Sequence, residues 1–431
     1  MRILVTGATG FIGSAVVARL AATGHAIVAV SRSASALRGR PGVALAVGLD
    51  MSSATAPEVW SAHLAGVDAV VNCVGLLQDA PGESLEDAHT RGPAALFAAC
   101  ERAGVRRVVH ISALGVDRAQ PSDFSRTKLA AERDLAGRDL DWVILRPSVV
   151  FGRAAYGGSA LVRGLAALPL LPVMPKSGDL QVVQLDDLVR TIEYFLQPGA
   201  PSRVALDVAG PEPQSFTDVV LAYRRWLGWP APRLFRVPEW LAGLAYRAGD
   251  LAGALGWPTP IRSTARREIA RGAVGDGGAW RRITGIEPRS LSAALAAEPA
   301  GVQERWFARL YFLKPLCFAA FSIFWIATGI LSLTAGWRIG KGLMLIGGVP
   351  DPWASMVVVA GALADIAVGL AIAWRRTARL GLWAGVAISL AYAVIGTILL
   401  PELWREPLGP MLKIWPIIAF NLVLLAILED R

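Results

Sequence analysis

The opening of this 431-residue chain limits its fold more than any other feature. A short apolar run, Ile3-Leu-Val-Thr6, turns directly into Gly7-Ala-Thr-Gly-Phe-Ile-Gly13, and a helical pattern follows. Gly7 permits the tight turn, Gly10 lets the main chain approach a pyrophosphate, and Gly13 lets the helix pack close to the strand. The N-terminus of the Phe11–Ala22 helix then offers free N–H groups and a positive dipole end to phosphate oxygens. The alternative is a glycine-rich turn with no ligand. Because strand, turn and helix agree in position, Gly7, Thr9, Gly10, Phe11, Ile12 and Gly13 are expected to line a bound dinucleotide.

The next 140 or so residues repeat this alternation. Ala26–Val30, Ala69–Val74, Arg107–Ser112 and Trp142–Arg146 are apolar runs of strand length, separated by helical segments such as Pro93–Ala103. Alternating strands and helices with right-handed crossovers predict a doubly wound α/β parallel sheet. The near-continuous apolarity of the strands fits a sheet covered on both faces. The second strand ends Val30-Ser31-Arg32-Ser33 without the carboxylate that commonly holds a ribose 2′-hydroxyl. Arg32, with Ser31 beside it, can instead pair with a 2′-phosphate, so NADP(H) is expected over NAD(H). Asp50, past the third strand, is placed to touch the adenine edge, and Asn72, Val74 and Gly75 are expected along the cofactor path.

The glycine turn, His110-Ile-Ser-Ala-Leu-Gly115, Phe124-Ser-Arg-Thr-Lys128 and Leu145-Arg-Pro-Ser-Val-Val-Phe-Gly152 together resemble the short-chain dehydrogenase/reductase superfamily. Within it, they are most similar to the extended or atypical branch that includes the accessory NADPH-binding subunit of respiratory complex I. The resemblance covers roughly residues 1–300 by motif order. It implies a Rossmann-like domain, a cofactor contact at Pro147, and a serine, tyrosine and lysine acting on a substrate oxygen. Ser112 and Lys128 match that set; Phe124 stands in the place of the tyrosine and has no hydroxyl. Lys128 can still bind ribose hydroxyls, but a lost general acid costs about 10²–10⁴-fold in rate. Tyr156, His89 and His110 are conceivable substitutes, each with a plainer packing role, and Ser125 points about 100° away on the helix.

The hydrophobic content of 54% exceeds what a soluble chain needs, and the excess lies in the last third. Pro315–Trp337 and Leu380–Pro401 carry no charge, Trp353–Trp374 carries Asp365 alone, and Ile414–Leu428 is shorter, with Lys413 able to snorkel. Runs of about 20 apolar residues suit a bilayer core of about 30 Å, so an all-α four-helix transmembrane domain is expected. The glycine-rich run Gly361-Ala-Leu-Ala-Asp365-Ile-Ala-Val-Gly369 resembles the DoxX-like membrane family, some of whose relatives are linked with quinone-coupled redox systems. Domain bounds follow as 1–210 for the nucleotide domain, 211–304 for a substrate-side region and 305–431 for the membrane domain. Asp365 is expected to meet an interhelical partner, with Asn421 and Tyr392 as candidates.

The net charge of +9 comes with no recognition helix or aromatic-basic stripe, so nucleic-acid binding is not expected. Basic flanks account for the charge better. Arg305, Arg309, Lys314 and the turn Arg375-Arg376-Thr-Ala-Arg379 predict a cytoplasmic nucleotide domain and cytoplasmic termini. Arg262, Arg266, Arg267 and Arg271 fall along a helical face that is either solvated or set against anionic lipid headgroups. No signal peptide is expected, since glycines follow Val5 at once. Cys73, Cys100 and Cys317 form no metal pattern, and no metal site is expected. Composition points to a bacterial inner-membrane protein. Two functions remain open: a membrane-anchored NAD(P)-dependent oxidoreductase acting on a lipophilic or quinone-type substrate, or a non-catalytic NADPH-binding subunit assembling with membrane-complex partners.

Overall fold

The computed structural model describes residues 1–79, 82–175, 177–257, 259 and 261–428. The chain divides into two compact units: Met1–Leu251 with Thr259–Ala308, and Ala252–Pro258 with Arg309–Arg431.

The first unit is built on a seven-stranded sheet. Its strands run in the order Val204–Val208, Asp141–Pro147, Arg107–Ile111, Ala69–Asn72, Arg2–Thr6, Ala26–Ser31 and Val43–Gly48. Every adjacent pair is parallel. Side-chain alternation along each strand splits the apolar residues between two cores. Ile3, Val5, Ile27, Ala29, Val71, Val109 and Val143 face the helices Phe11–Ala22 and Leu185–Phe195, against Val16, Leu20, Leu188, Ile192 and Phe195. Leu4, Val28, Val30, Val70, Val108 and Ile144 face Trp60, Leu96, Phe97, Cys100 and Leu135 on the other side. Each large apolar side chain fully buried adds about 1.5–3 kcal/mol, which explains why the central strands Arg2–Thr6, Ala26–Ser31 and Ala69–Asn72 read as near-continuous apolar runs.

The strand order reverses direction between Arg2–Thr6 and Ala69–Asn72, leaving a crevice at their carboxyl ends where doubly wound sheets bind ligands. Outside the main sheet, Val183–Gln184 pairs with Val150–Phe151, and the chain then enters helix Leu185–Phe195. The returning strand is Val204–Val208, beside Asp141–Pro147.

Among the described residues, three helices have the length and apolarity to cross a membrane: Val302–Leu333, Trp353–Ala373 and Ala378–Leu399. The first begins well before the expected Pro315, which lies inside it. Ile414–Ile427 is a fourth, of 14 residues, about 21 Å long and short of a full bilayer core. Helix Trp337–Ile346, not expected from the sequence, occupies the first connection. The helices approach through glycine: a Cβ at Gly369 would fall 2.7 Å from Ser322 O, and one at Gly329 would meet Ala362 O. Such close approach replaces the hydrophobic driving force that lipid removes. Asp365 is buried, and Tyr392 donates to its Oδ1 at 2.9 Å. Asn421, the other candidate partner, instead donates from Nδ2 to Ile417 O at 3.0 Å.

Candidate functional site

The glycine turn is held open by crowding. Gly7 has φ +65°, and a Cβ there would lie 3.0 Å from the Cys73 carbonyl. A Cβ on Gly13 would sit 2.1 Å from Gly7 O, so the helix packs where only glycine fits. Gly10 donates to Gly7 O at 2.8 Å and begins helix Phe11–Ala22 with no side-chain cap. That terminus therefore keeps main-chain N–H groups for an anion. Thr9 is exposed at the tip, and Ile12 packs against the core below. Phe11 stacks on Tyr156, ring centroids 5.6 Å apart and planes within 9°. This contact gives Tyr156 a packing role.

At the end of the second strand, Ser31 donates to Ser33 O at 2.9 Å. The half-exposed Arg32 forms an ion pair with Glu83, a residue the sequence reading did not single out. Asp50 accepts from Ser52 N at 3.0 Å and Ser52 Oγ at 2.7 Å, shaping its own turn. Asn72 is fully buried: its Oδ1 accepts from Thr6 Oγ1 at 2.7 Å and Val74 N at 3.2 Å, while Nδ2 meets His110 Nδ1 at 3.1 Å. Its side chain thus braces three neighbouring strands.

Lys128 is 4% exposed and donates to Val74 O at 3.0 Å and Ile111 O at 2.9 Å. Burial pulls its pKa from 10.5 down to about 8, against the opposing pull of Cys73 and Glu132. A clamp holds its helix in place. Glu132, one turn on, accepts Arg146 Nε at 3.0 Å and Nη2 at 2.6 Å, tying helix Asp123–Ala136 to strand Asp141–Pro147. Gly75 lies near the ammonium, with a would-be Cβ 3.6 Å from Nζ. Ser112, directly after Ile111, is 5% exposed, and its hydroxyl has no hydrogen-bond partner among the described residues. Pro147, at the end of its strand, accepts from Leu114 N at 3.0 Å.

Phe124 packs edge-on against His89, centroids 5.7 Å apart. His89 Nε2 accepts from Leu76 N at 2.9 Å, which leaves the proton on Nδ1, 3.0 Å from Thr127 Oγ1. Burial first, then the Lys128 charge, holds His89 well below its usual pKa, and the same causes act on His110. Both histidines are neutral framework residues, unsuited to replace a tyrosine proton donor. Ser125 is also committed: it donates to Ser122 O at 3.1 Å and Glu268 Oε1 at 3.0 Å.

A dinucleotide fits this arrangement on two counts. The turn excludes Cβ atoms from Gly7 and Gly13, and a buried serine hydroxyl, one residue past the Ile111 carbonyl that Lys128 binds, is left unpartnered among the described residues. A buried hydroxyl without a partner costs about 1–3 kcal/mol, a cost that a bound polar group removes.

Comparison with known proteins agrees. The NAD(P)H-binding family matches residues 7–164. The 3-diazoavenalumate denitrifying reductase of a Streptomyces species is 31% identical over 310 residues, covering 64% of this chain and 93% of that protein. This chain belongs to the NAD(P)H-binding short-chain dehydrogenase/reductase superfamily. Sterol demethylase protein B of Methylococcus capsulatus is 28% identical to this reductase-like chain, over 71% of the chain and 99% of that protein. The mitochondrial NADH-ubiquinone oxidoreductase 40 kDa subunit of Neurospora crassa is 24% identical over 67% of the chain and 76% of that subunit. The Bordetella bronchiseptica enzyme WbmG, solved with NAD, shares the fold at TM-score 0.53 and 16% identity, over 69% of the chain and 92% of WbmG. The DoxX-like family matches residues 322–422. The reductase-like chain is therefore a membrane-anchored, NAD(P)-binding, oxidoreductase-like protein with a DoxX-like C-terminal domain.

Proposed function

We propose that this protein is an NADP(H)-preferring oxidoreductase acting on a lipophilic, carbonyl- or quinone-type substrate at a bacterial inner membrane, with its nucleotide domain in the cytoplasm. The observation that carries the reading is the buried Ser112 hydroxyl, unpartnered among the described residues and one residue past the Ile111 carbonyl that the buried Lys128 binds. The relative named as a sterol demethylase protein supports a lipophilic substrate, as does attachment to membrane helices. The nicotinamide supplies hydride when bound. Gly7, Gly10, Gly13 and the uncapped helix terminus hold its phosphates, and the main chain at Val74 and Gly75 borders the path to Lys128. Ser112 donates a hydrogen bond to the substrate oxygen.

Lys128 replaces the missing tyrosine as proton source. An ammonium has three donors, two of them engaged by Val74 O and Ile111 O, and a pKa of about 8 suits proton transfer near neutrality. Arg32 favours the 2′-phosphate of NADP(H), and Glu83 competes with that phosphate for the guanidinium. Glu83→Gln should therefore raise the ratio of NADPH to NADH affinity, and Arg32→Ala should lower it; titrating both cofactors into each variant checks this. The domain bounds 1–210, 211–304 and 305–431 belong to the same reading, as does Asp50 near the adenine.

One observation favours the second reading, a cofactor-holding subunit of a membrane complex: Phe124 fills the tyrosine position and packs against a neutral histidine. The deciding experiment measures NADPH and NADH binding to the detergent-purified chain, then cofactor oxidation with short-chain quinones, for the wild type and Phe124→Tyr. Turnover by the wild type, lost in Lys128→Met, supports the oxidoreductase. Tight NADPH binding with turnover appearing only in Phe124→Tyr supports the subunit.

A further inference from the structure

Helix Glu239–Ala254 is turned inside out. Its inward face is Ala242, Tyr246, Gly249 and Gly253, small apart from the tyrosine, and a Cβ on Gly249 would fall 1.6 Å from Ile261 O. Its outward face carries the large apolar side chains: Trp240 is 68% exposed, Leu244 51% and Leu251 65%, with Leu241 beside them. These positions recur at helical spacing, so they form one stripe about 17 Å long. Strand Arg233–Arg236, just before the helix, is exposed throughout, with Leu234 and Phe235 on its opposite faces. An ordinary surface helix shows the reverse arrangement, and an apolar stripe of this size needs a cover.

The charges around it are mostly basic, with Glu239 the exposed acid at the helix start. Arg233, Arg236, Arg247, Arg266 and Arg267 are exposed on the same strand and on helices Glu239–Ala254 and Ser263–Arg271. Asp250 is engaged by Ser263 Oγ at 2.5 Å and by Arg262. Of the arginines at 262–271, Arg266 and Arg267 are exposed, whereas Arg262 pairs with Asp250 and Arg271 lies 2.8 Å from Glu268 Oε2. Immediately after the stripe, the chain joins the membrane helices. Trp257 Nε1 donates to Ala373 O at 2.7 Å, Arg375 N donates to Leu255 O at 3.2 Å, and Trp257 packs on Phe318. Residues 252–257 therefore lie where helix Trp353–Ala373 ends in the basic turn Arg375–Arg379, the level of a headgroup layer.

We infer that the helix face Trp240–Leu241–Leu244–Leu251, with Arg247 within it and the exposed Arg233 and Arg236 on the preceding strand, is an interfacial membrane-binding surface seated among anionic lipid headgroups. Apolar side chains enter the acyl boundary while the guanidinium groups meet lipid phosphates, the pattern of a helix lying in the interface plane. This surface is independent of catalysis: it holds whether or not the nucleotide site turns over.

The test incorporates a photoreactive benzophenone amino acid in place of Leu244 in the full chain, in phosphatidylcholine discs with and without phosphatidylglycerol. Ala103, exposed at the far end of another helix, is the control position. Irradiation should give lipid adducts at 244 and none at 103, detected by intact mass. Combining Arg233→Gln, Arg236→Gln and Arg247→Gln should cut the adduct yield in phosphatidylglycerol discs by about fivefold or more. A protein–protein cross-link at 244 in place of lipid, or no adduct there, overturns the inference, as does an adduct yield unmoved by the three substitutions. NADPH binding measured on the same samples separates a failure of this surface from a failure of the nucleotide site.

Discussion

Gly13 shows how one missing methyl group decides a site. With 2.1 Å between its would-be Cβ and Gly7 O, Gly13→Ala must push the helix away from the strand. Overpacking of this kind costs about 1–3 kcal/mol. The variant should melt lower and lose stabilisation by NADPH, both read from thermal unfolding with and without cofactor. Lys128 makes a different kind of statement. Its pKa falls from 10.5 to about 8 on folding, so between those values the unfolded chain binds more protons than the native one. Its contribution to stability is therefore unfavourable below about pH 8 and improves as pH rises toward 10.5. Cys73 and Cys100, pushed up from 9.0 to about 12 by burial, act in the opposite sense above pH 9. Comparing Lys128→Met with the wild type isolates the lysine: the stability advantage of the variant should shrink as pH is raised from 7 to 10. A constant difference would contradict the lowered pKa.

Elements are positioned by a few clamps. Helix Asp123–Ala136 carries Phe124 and Lys128, and its place against the sheet depends on Arg146 gripping Glu132, a carboxylate 2% exposed. Arg146→Leu would leave that charge buried and uncompensated, at a cost of about 3–5 kcal/mol. Denaturant unfolding should show that loss. The double variant Arg146→Leu with Glu132→Leu should recover much of it, because removing both charges also removes the desolvation penalty. In the membrane unit, the corresponding contacts are between backbones. Gly369→Leu would force apart helices Val302–Leu333 and Trp353–Ala373 at Ser322 and Ile326. Its unfolding in detergent should come at lower temperature, while NADPH binding by the first unit stays at the wild-type level.

At the scale of the whole molecule, two compact units carry separate tasks. A ligand that binds only the native state stabilises by about 2.7 kcal/mol at a hundredfold excess over its Kd. Scanning calorimetry of the detergent-purified chain should thus show NADPH raising the transition of the nucleotide-binding unit and leaving that of the membrane helices in place. A uniform shift of both would mean that the units unfold as one.

The doubly wound sheet, the glycine turn and the long apolar helices were legible in the residues themselves. Each depends on local periodicity and on backbone demands that few residue types meet: Ile3 and Val5 alternate with Leu4, and Gly7 adopts φ +65°. The placing of Ser112 at a strand end and of Phe124 and Lys128 one turn apart on a helix was also legible, because spacing along one strand and one helix preserves it. What lay out of reach were contacts between segments far apart in sequence. Glu83 pairs with Arg32 across 51 positions, Asn72 turns inward to Thr6 and His110, and Glu268 reaches Ser122 and Ser125 from over 140 residues away. Tertiary structure also decided which face of helix Glu239–Ala254 points outward. A pattern of apolar residues states that one side of a helix must be covered; only the packing of small residues against Ile261 determined that the covering could not come from the protein's own core.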